Sequence, residues 1–138
     1  MKRMWALLIV LLIATVAASA TATDPAFLSA VKNARFVYVT SYDGNEFNWN
    51  VLPEDRQAIA NVQDAVQQWG HYIVVYRPAQ ADIILAVQSR GTEDVLAVYD
   101  AHAPGSNYLW RAMSREGLQK GETPLVTQFQ QAIDKVGK

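Results

Sequence analysis

The sequence predicts an α+β domain of two layers: a mostly antiparallel sheet of about five strands with two long helices packed against it and a short helix before them. Three observations carry this reading. Residues 53–69 and 123–136 repeat apolar side chains at helical spacing. Short runs rich in β-branched and aromatic residues fall between turn signals at 35–42, 71–76, 82–88, 95–100 and 107–114. The last three runs are joined by short polar connections, which favours an antiparallel meander.

Taken in order, "DPAFLSAVKNA" begins a short helix, with Asp24 at the N-cap and Pro25 at the first helical position. "RFVYVTSY" follows as a strand. In "YDGNEFNWNV", Asp43-Gly44 is a hairpin-turn signal, and Phe47, Trp49 and Val51 then alternate with Glu46, Asn48 and Asn50. That alternation reads either as a hairpin partner or as an irregular loop. "LPEDRQAIANVQDAVQQWG" is the clearest helix. Ile59, Val62, Val66 and Trp69 form its stripe, Glu54 and Asp55 suit the positive end of its dipole, and Gly70 ends it. Arg56, Gln57, Asn61, Asp64 and Gln68 fall on its polar face.

"HYIVVY" is a strand, and with the first strand and the long helix it can form a right-handed β-α-β unit. "DIILAVQ" is apolar at consecutive positions, as expected of a central strand covered on both faces. "VLAVYD" and "NYLWRAMS" complete the meander, with Tyr108, Trp110 and Ala112 on one face. In the last helix Thr123 caps, Pro124 comes first, and Leu125, Phe129, Ile133 and Val136 make the buried stripe.

The chain opens with "MKRMWALLIVLLIATVAASATATD": a basic start, an uncharged apolar run from Met4 to Val16, then small residues. This is the pattern of a secretory signal peptide, with cleavage after Ala20 or Ala22. The alternative is an uncleaved anchor, for which the run is short of the ~20 residues a span needs. Residues 1–22 are thus expected to be a leader and 23–138 one domain, placed in a bacterial periplasm or secreted. Membrane contact is expected only if the leader is retained. The absence of cysteine excludes disulfides, thiolate metal sites, a Cys nucleophile and a lipid-modified cysteine anchor. Lys2 and Arg3 are two of the 12 basic residues, so the remainder sets 13 carboxylates against 10 cations. No basic cluster occurs, which argues against nucleic acid as a partner.

From "QQWG" through "YIVV", "PAQADIILAV", "LAVYD" and "YLWRA" to the last amphipathic helix, the chain resembles small secreted proteins and lipoproteins of bacterial envelopes, many known only as domains of unknown function. The order of elements is similar to the α/β domains of TolB-type N-terminal regions and of curli-secretion-type lipoproteins. The resemblance covers about residues 54–136. It implies an envelope-associated, non-enzymatic domain whose partner is another envelope protein, and it carries no catalytic residues across. The chain departs from the lipoproteins in lacking the lipidation cysteine.

Candidate chemistry is sparse. Asp100 and His102 could offer two metal ligands, short of the three or four a site needs, so neither a metal nor a cofactor is expected. His71 reads as a cap or a solvent-facing side chain. Ser41, Ser89, Ser106 and Ser114 sit in no nucleophile frame, and no catalytic residue is assigned. Asp82, in front of five apolar residues, reads as a strand-entrance carboxylate accepting backbone N–H bonds. Arg111 is expected to pair with a carboxylate such as Asp100. The most suggestive feature is aromatic: Tyr42, Phe47 and Trp49 among Asp43, Asn45, Asn48 and Asn50. These are the candidate ligand-binding residues. Core packing is the competing reading for them, and a glycan or small ligand is the alternative to a protein partner.

Overall fold

The computed structural model describes residues 24–103 and 105–136. The expected leader therefore lies outside the described residues. The described chain is an α+β fold of three helices and one open five-stranded sheet. Helix α1 (Pro25–Asn33) begins as expected: the Asp24 carboxylate accepts the Ala26 N–H at 2.9 Å. Strand β1 (Phe36–Ser41) leads through a looped segment to helix α2 (Pro53–Trp69), which Gly70 ends in the left-handed conformation at φ 75°. Strand β2 (Ile73–Val75), a 3-10 turn (Pro78–Gln80), strands β3 (Ile83–Ser89), β4 (Asp94–Asp100) and β5 (Trp110–Ser114), and helix α3 (Pro124–Val136) complete the order. No helix among the described residues is long and apolar enough to cross a membrane.

The sheet is mixed. Its order is β2-β1-β3-β4-β5, with β1 parallel to both β2 and β3 and the β3-β4-β5 meander antiparallel. β1, α2 and β2 form the expected β-α-β unit. The hairpin reading of 45–51 is corrected: residues 42–50 are turns, with one isolated bridge from Ser41 to Gly44. The reason is topological. Both sides of β1 are occupied, by β2 and β3, so no edge is left for a hairpin partner.

One face of the sheet carries the core. Val37, Val39, Ile83, Leu85, Val87, Leu96 and Val98 pack against Phe27 and Val31 of α1, Ile59, Val62 and Val66 of α2, and Leu125, Phe129 and Ile133 of α3. Phe129 sits among aromatic rings, 5.6 Å from Trp110 and 5.9 Å from Trp69. Trp69 and Trp110 are only half-buried at the margin of this cluster. Tyr108 does not share their face; it lies before β5 and is exposed.

β3 is the central strand of the sheet and is largely covered on both faces, as expected. The register places Tyr38, Thr40, Ile84, Ala86, Gln88, Val95, Ala97, Tyr99, Arg111 and Met113 on the other face. None of these belongs to the helix-packed core. Tyr38, Ala86, Val95 and Ala97 are nonetheless buried on that face.

Asp82 fastens the sheet. One carboxylate oxygen accepts the N–H groups of Arg35 at 2.8 Å and Phe36 at 2.9 Å, fixing the start of β1 against β3. The other faces His102 Nε2 at 3.1 Å. The Phe36 and Arg35 N–H groups, with His102 adding to them, hold the Asp82 carboxyl below its ordinary range against the opposing effect of partial burial. A depressed folded-state value contributes stability above the unfolded pKa, about 3.9, and loses it as pH falls through the folded one. Asp82→Asn should therefore cost ~1–2 kcal/mol at pH 7. In urea melts at pH 7, 4 and 3 the gap to the parent should narrow with acid. A gap independent of pH would show that charge plays no part.

Candidate functional site

Loop 42–52 is built by its own side chains. The Ser41 hydroxyl donates to the Gly44 carbonyl at 2.7 Å and accepts from the Asp43 N–H at 3.1 Å. Gly44 holds φ 133°, where a Cβ would lie 2.6 Å from Asn48 Nδ2, so only glycine fits. Asn45 Oδ1 then accepts the Phe47 N–H, and Asn48 Oδ1 accepts the Asn50 N–H, both at 3.0 Å. These are two successive Asx turns. The period-two pattern in the sequence reflects asparagines folding the backbone, not a strand.

The turns direct Phe47 and Trp49 into solvent, at 77% and 87% exposure, while Val51 returns to the core at 3%. Core packing is thus excluded for Phe47 and Trp49. Tyr42 parts company with them. It lies on the side of the sheet away from the helices, its hydroxyl beside the Tyr99 hydroxyl and the Arg111 guanidinium. Burial, then the hydrogen bond with Tyr99, push the Tyr42 phenol up to about 12, with Arg111 pulling the other way.

The loop is tied to α2 and β3 through a residue that the sequence reading passed over. Arg90 donates to Asp43 at 3.1 Å and to Asp55 at 3.0 Å. Asp55 was expected in the first turn of α2 for its charge alone, yet it is fully buried, and it also accepts the Ser89 N–H at 2.7 Å. Asp43, Asp55 and Arg90 are up to 47 residues apart, so no local pattern announces them.

Beside this node a cleft of about 1230 Å³ opens between the first turns of α2, the 89–92 turn and residues 115–120. Its walls carry both signs, Arg115 and Lys120 with Glu54 and Glu116. Its floor is committed to structure. Asp94 accepts from the Ser89 hydroxyl and the Leu118 N–H, and buried Asn61, expected on the polar face, donates to the Leu118 carbonyl at 2.9 Å.

The four serines considered as nucleophiles all donate to fixed acceptors: Ser41 to Gly44, Ser89 to Asp94, Ser106 to Ala103 and Ser114 to Arg115. His71 stacks on Trp69 at 4.9 Å. His102 lines a hollow of about 310 Å³ with Ser29, Asp82 and Asp100. Its Nε2 is engaged by Asp82, and no hydrogen bond joins it to Ser29. Among the described residues no group of three metal-ligating side chains converges.

The pairing of Arg111 with Asp100 does not form. Asp100, opposite Ile83, lies on the helix-packed side of β4, whereas Arg111, opposite Ala97, lies on the other side of β5. Arg111 instead sits 5.9 Å above the Tyr108 ring. Comparison of the chain with protein-family models, with curated proteins and with solved structures found no match.

Proposed function

We propose that this chain is a non-enzymatic exported envelope protein, an interaction module whose contact surface is the 42–52 loop. Phe47 and Trp49 are its anchors, and the partner is a protein that offers them an apolar pocket. The observation that carries this reading is the 87% exposure of Trp49 on a loop whose turns are fixed by the Asn45 and Asn48 side chains. An indole left in water on a disordered loop would lose much of its binding energy to ordering. On a preorganised loop that cost is small, and aromatic anchors supply most of the energy of many interfaces. Among the described residues His102 Nε2 is engaged by Asp82 and the Ser106 hydroxyl by the Ala103 carbonyl, which supports a binding role over a hydrolytic one. A glycan would draw on the asparagines, but two of their carbonyl oxygens are already committed to the turns. This favours apolar insertion over sugar recognition.

The test is capture from the native envelope extract by the parent, by Trp49→Ala and by the Phe47→Ala/Trp49→Ala double variant. Because both side chains are exposed, each variant should keep its urea midpoint within about 0.5 kcal/mol of the parent. Partner recovery should fall at least tenfold for the double variant. Equal recovery by all three would remove loop 42–52 from the interface.

A further inference from the structure

The cleft of about 1230 Å³ exceeds the ~300–1000 Å³ of most small-ligand pockets, and its walls are charged. Glu54 stands on the α2 wall, with the Gln57 side chain about one turn further on. Arg115, Glu116 and Lys120 stand on the 115–120 wall, which therefore carries a net positive charge. The two walls meet at the floor, where Asn61 of α2 donates to the Leu118 carbonyl, and Glu54 lies about two turns from that meeting point. Among the described residues none of these charged side chains forms an ion pair, with one another or with any other residue. The 115–120 wall is also stiff. Leu118 is 2% exposed, and a Cβ on Gly117 would lie 2.5 Å from Leu125 Cγ, so the loop is pressed against α3. Glu116 holds φ 53°, in the left-handed region that residues with a Cβ rarely adopt.

Unpaired ions of both signs in one cleft suit a ligand that brings both signs itself. A nucleic acid would meet Glu54 and Glu116, and a neutral glycan would leave the charges unused. We propose that the cleft binds a short peptide by its free ends, with the terminal carboxylate between Arg115 and Lys120 and the terminal ammonium on Glu54. The Arg115 guanidinium offers a planar fork to a carboxylate, and Lys120 adds a second positive charge at the same end. Gln57 Nε2 is spent on Asn61 at 2.9 Å, which leaves the Gln57 carbonyl oxygen to accept an N–H of the ammonium or of the first peptide unit. A stiff wall loses little freedom when the ligand arrives. The site is distinct from the Phe47 and Trp49 anchors and does not rest on their role.

Calorimetric titration of the protein with tetra-alanine, which reaches about 14 Å when extended, tests this. The C-amidated peptide, the N-acetylated peptide and free alanine are the comparisons. Tetra-alanine should bind, and either blocking group should weaken it by about fivefold, the upper range for an exposed ion pair. Free alanine, too short to reach both walls, should bind more weakly still. The Arg115→Gln/Lys120→Gln variant should bind the free acid about tenfold more weakly than the parent does, and should no longer distinguish it from the amide. Glu54→Gln should in the same way cease to distinguish the free amine from the acetylated peptide. These side chains are exposed, so the melting temperatures of both variants should match the parent. No binding of tetra-alanine would overturn the proposal, as would equal binding of the blocked peptides or of alanine, or a preference for the free acid that survives in Arg115→Gln/Lys120→Gln.

Discussion

Phe129→Ala should cost ~4 kcal/mol of stability, the largest effect of any single truncation in the chain. The ring is wholly buried. Among the described residues it is the one ring that neighbours Trp69, Tyr72 and Trp110 together, from α3 across to α2 and β5. Removing it takes away the transfer energy of the ring and leaves a cavity that three stiff aromatic neighbours cannot fill. A domain of this size has about 5–15 kcal/mol in total, so the variant should be partly unfolded at 37 °C. Trp110→Ala should cost less, ~2 kcal/mol, because Trp110 covers the margin of the cluster and keeps a wet edge. Urea melts followed by near-ultraviolet circular dichroism measure both. A cost below ~1.5 kcal/mol for Phe129→Ala would mean that the cluster repacks around the loss.

Arg90→Ala should cost ~2–3 kcal/mol, although Arg90 is itself about a third exposed. The loss arises at its partner. Asp55 has 1% of its side chain accessible, and without Arg90 its carboxylate keeps the Ser89 N–H as its one hydrogen-bond donor. Breaking a buried pair by removing one member ordinarily costs 3–5 kcal/mol; the exposure of the guanidinium lowers the figure here. In a double-mutant cycle with Asp55→Ala the two losses should be non-additive by ~1–3 kcal/mol, since the second mutation removes the charge that the first stranded. Additive losses would show that the ion pair is not the source. Arg90→Ala also frees Asp43, so Trp49 should gain mobility, readable as lower fluorescence anisotropy.

Much of the fold was legible because its signals are local. The stripes of α2 and α3, the proline at the start of each helix, Gly70 after α2 and the short turns of the meander all act within a few residues. What escaped the sequence depends on partners far along the chain. The insertion of β1 between β2 and β3 is decided by which edges remain free, and that in turn rules out the hairpin. Asp82 was read correctly as a backbone acceptor, but the N–H groups it accepts belong to residues 35 and 36. The consecutive apolar residues of β3 were legible as a central strand covered on both faces, and Ala86 and Ala97 are buried away from the helices. The candidate aromatics were found by composition alone. That Tyr42 would leave them for Arg111 depends on the register of β3 against β4 and β5.

The position of β1 also sets an order of events. A polypeptide is delivered N-terminus first, and β1 is the first strand to arrive. Both of its neighbours arrive later, and β3 ends at Ser89, some fifty residues behind. Until then Phe36–Tyr38 can pair only with the three-residue β2, Val39–Ser41 has no partner, and the β3 side that Asp82 fastens to the first amides of β1 is not in place. No stable half-structure can form from the leading segment. The domain must close late and all at once, which keeps the chain extended through any passage that admits only unfolded polypeptide.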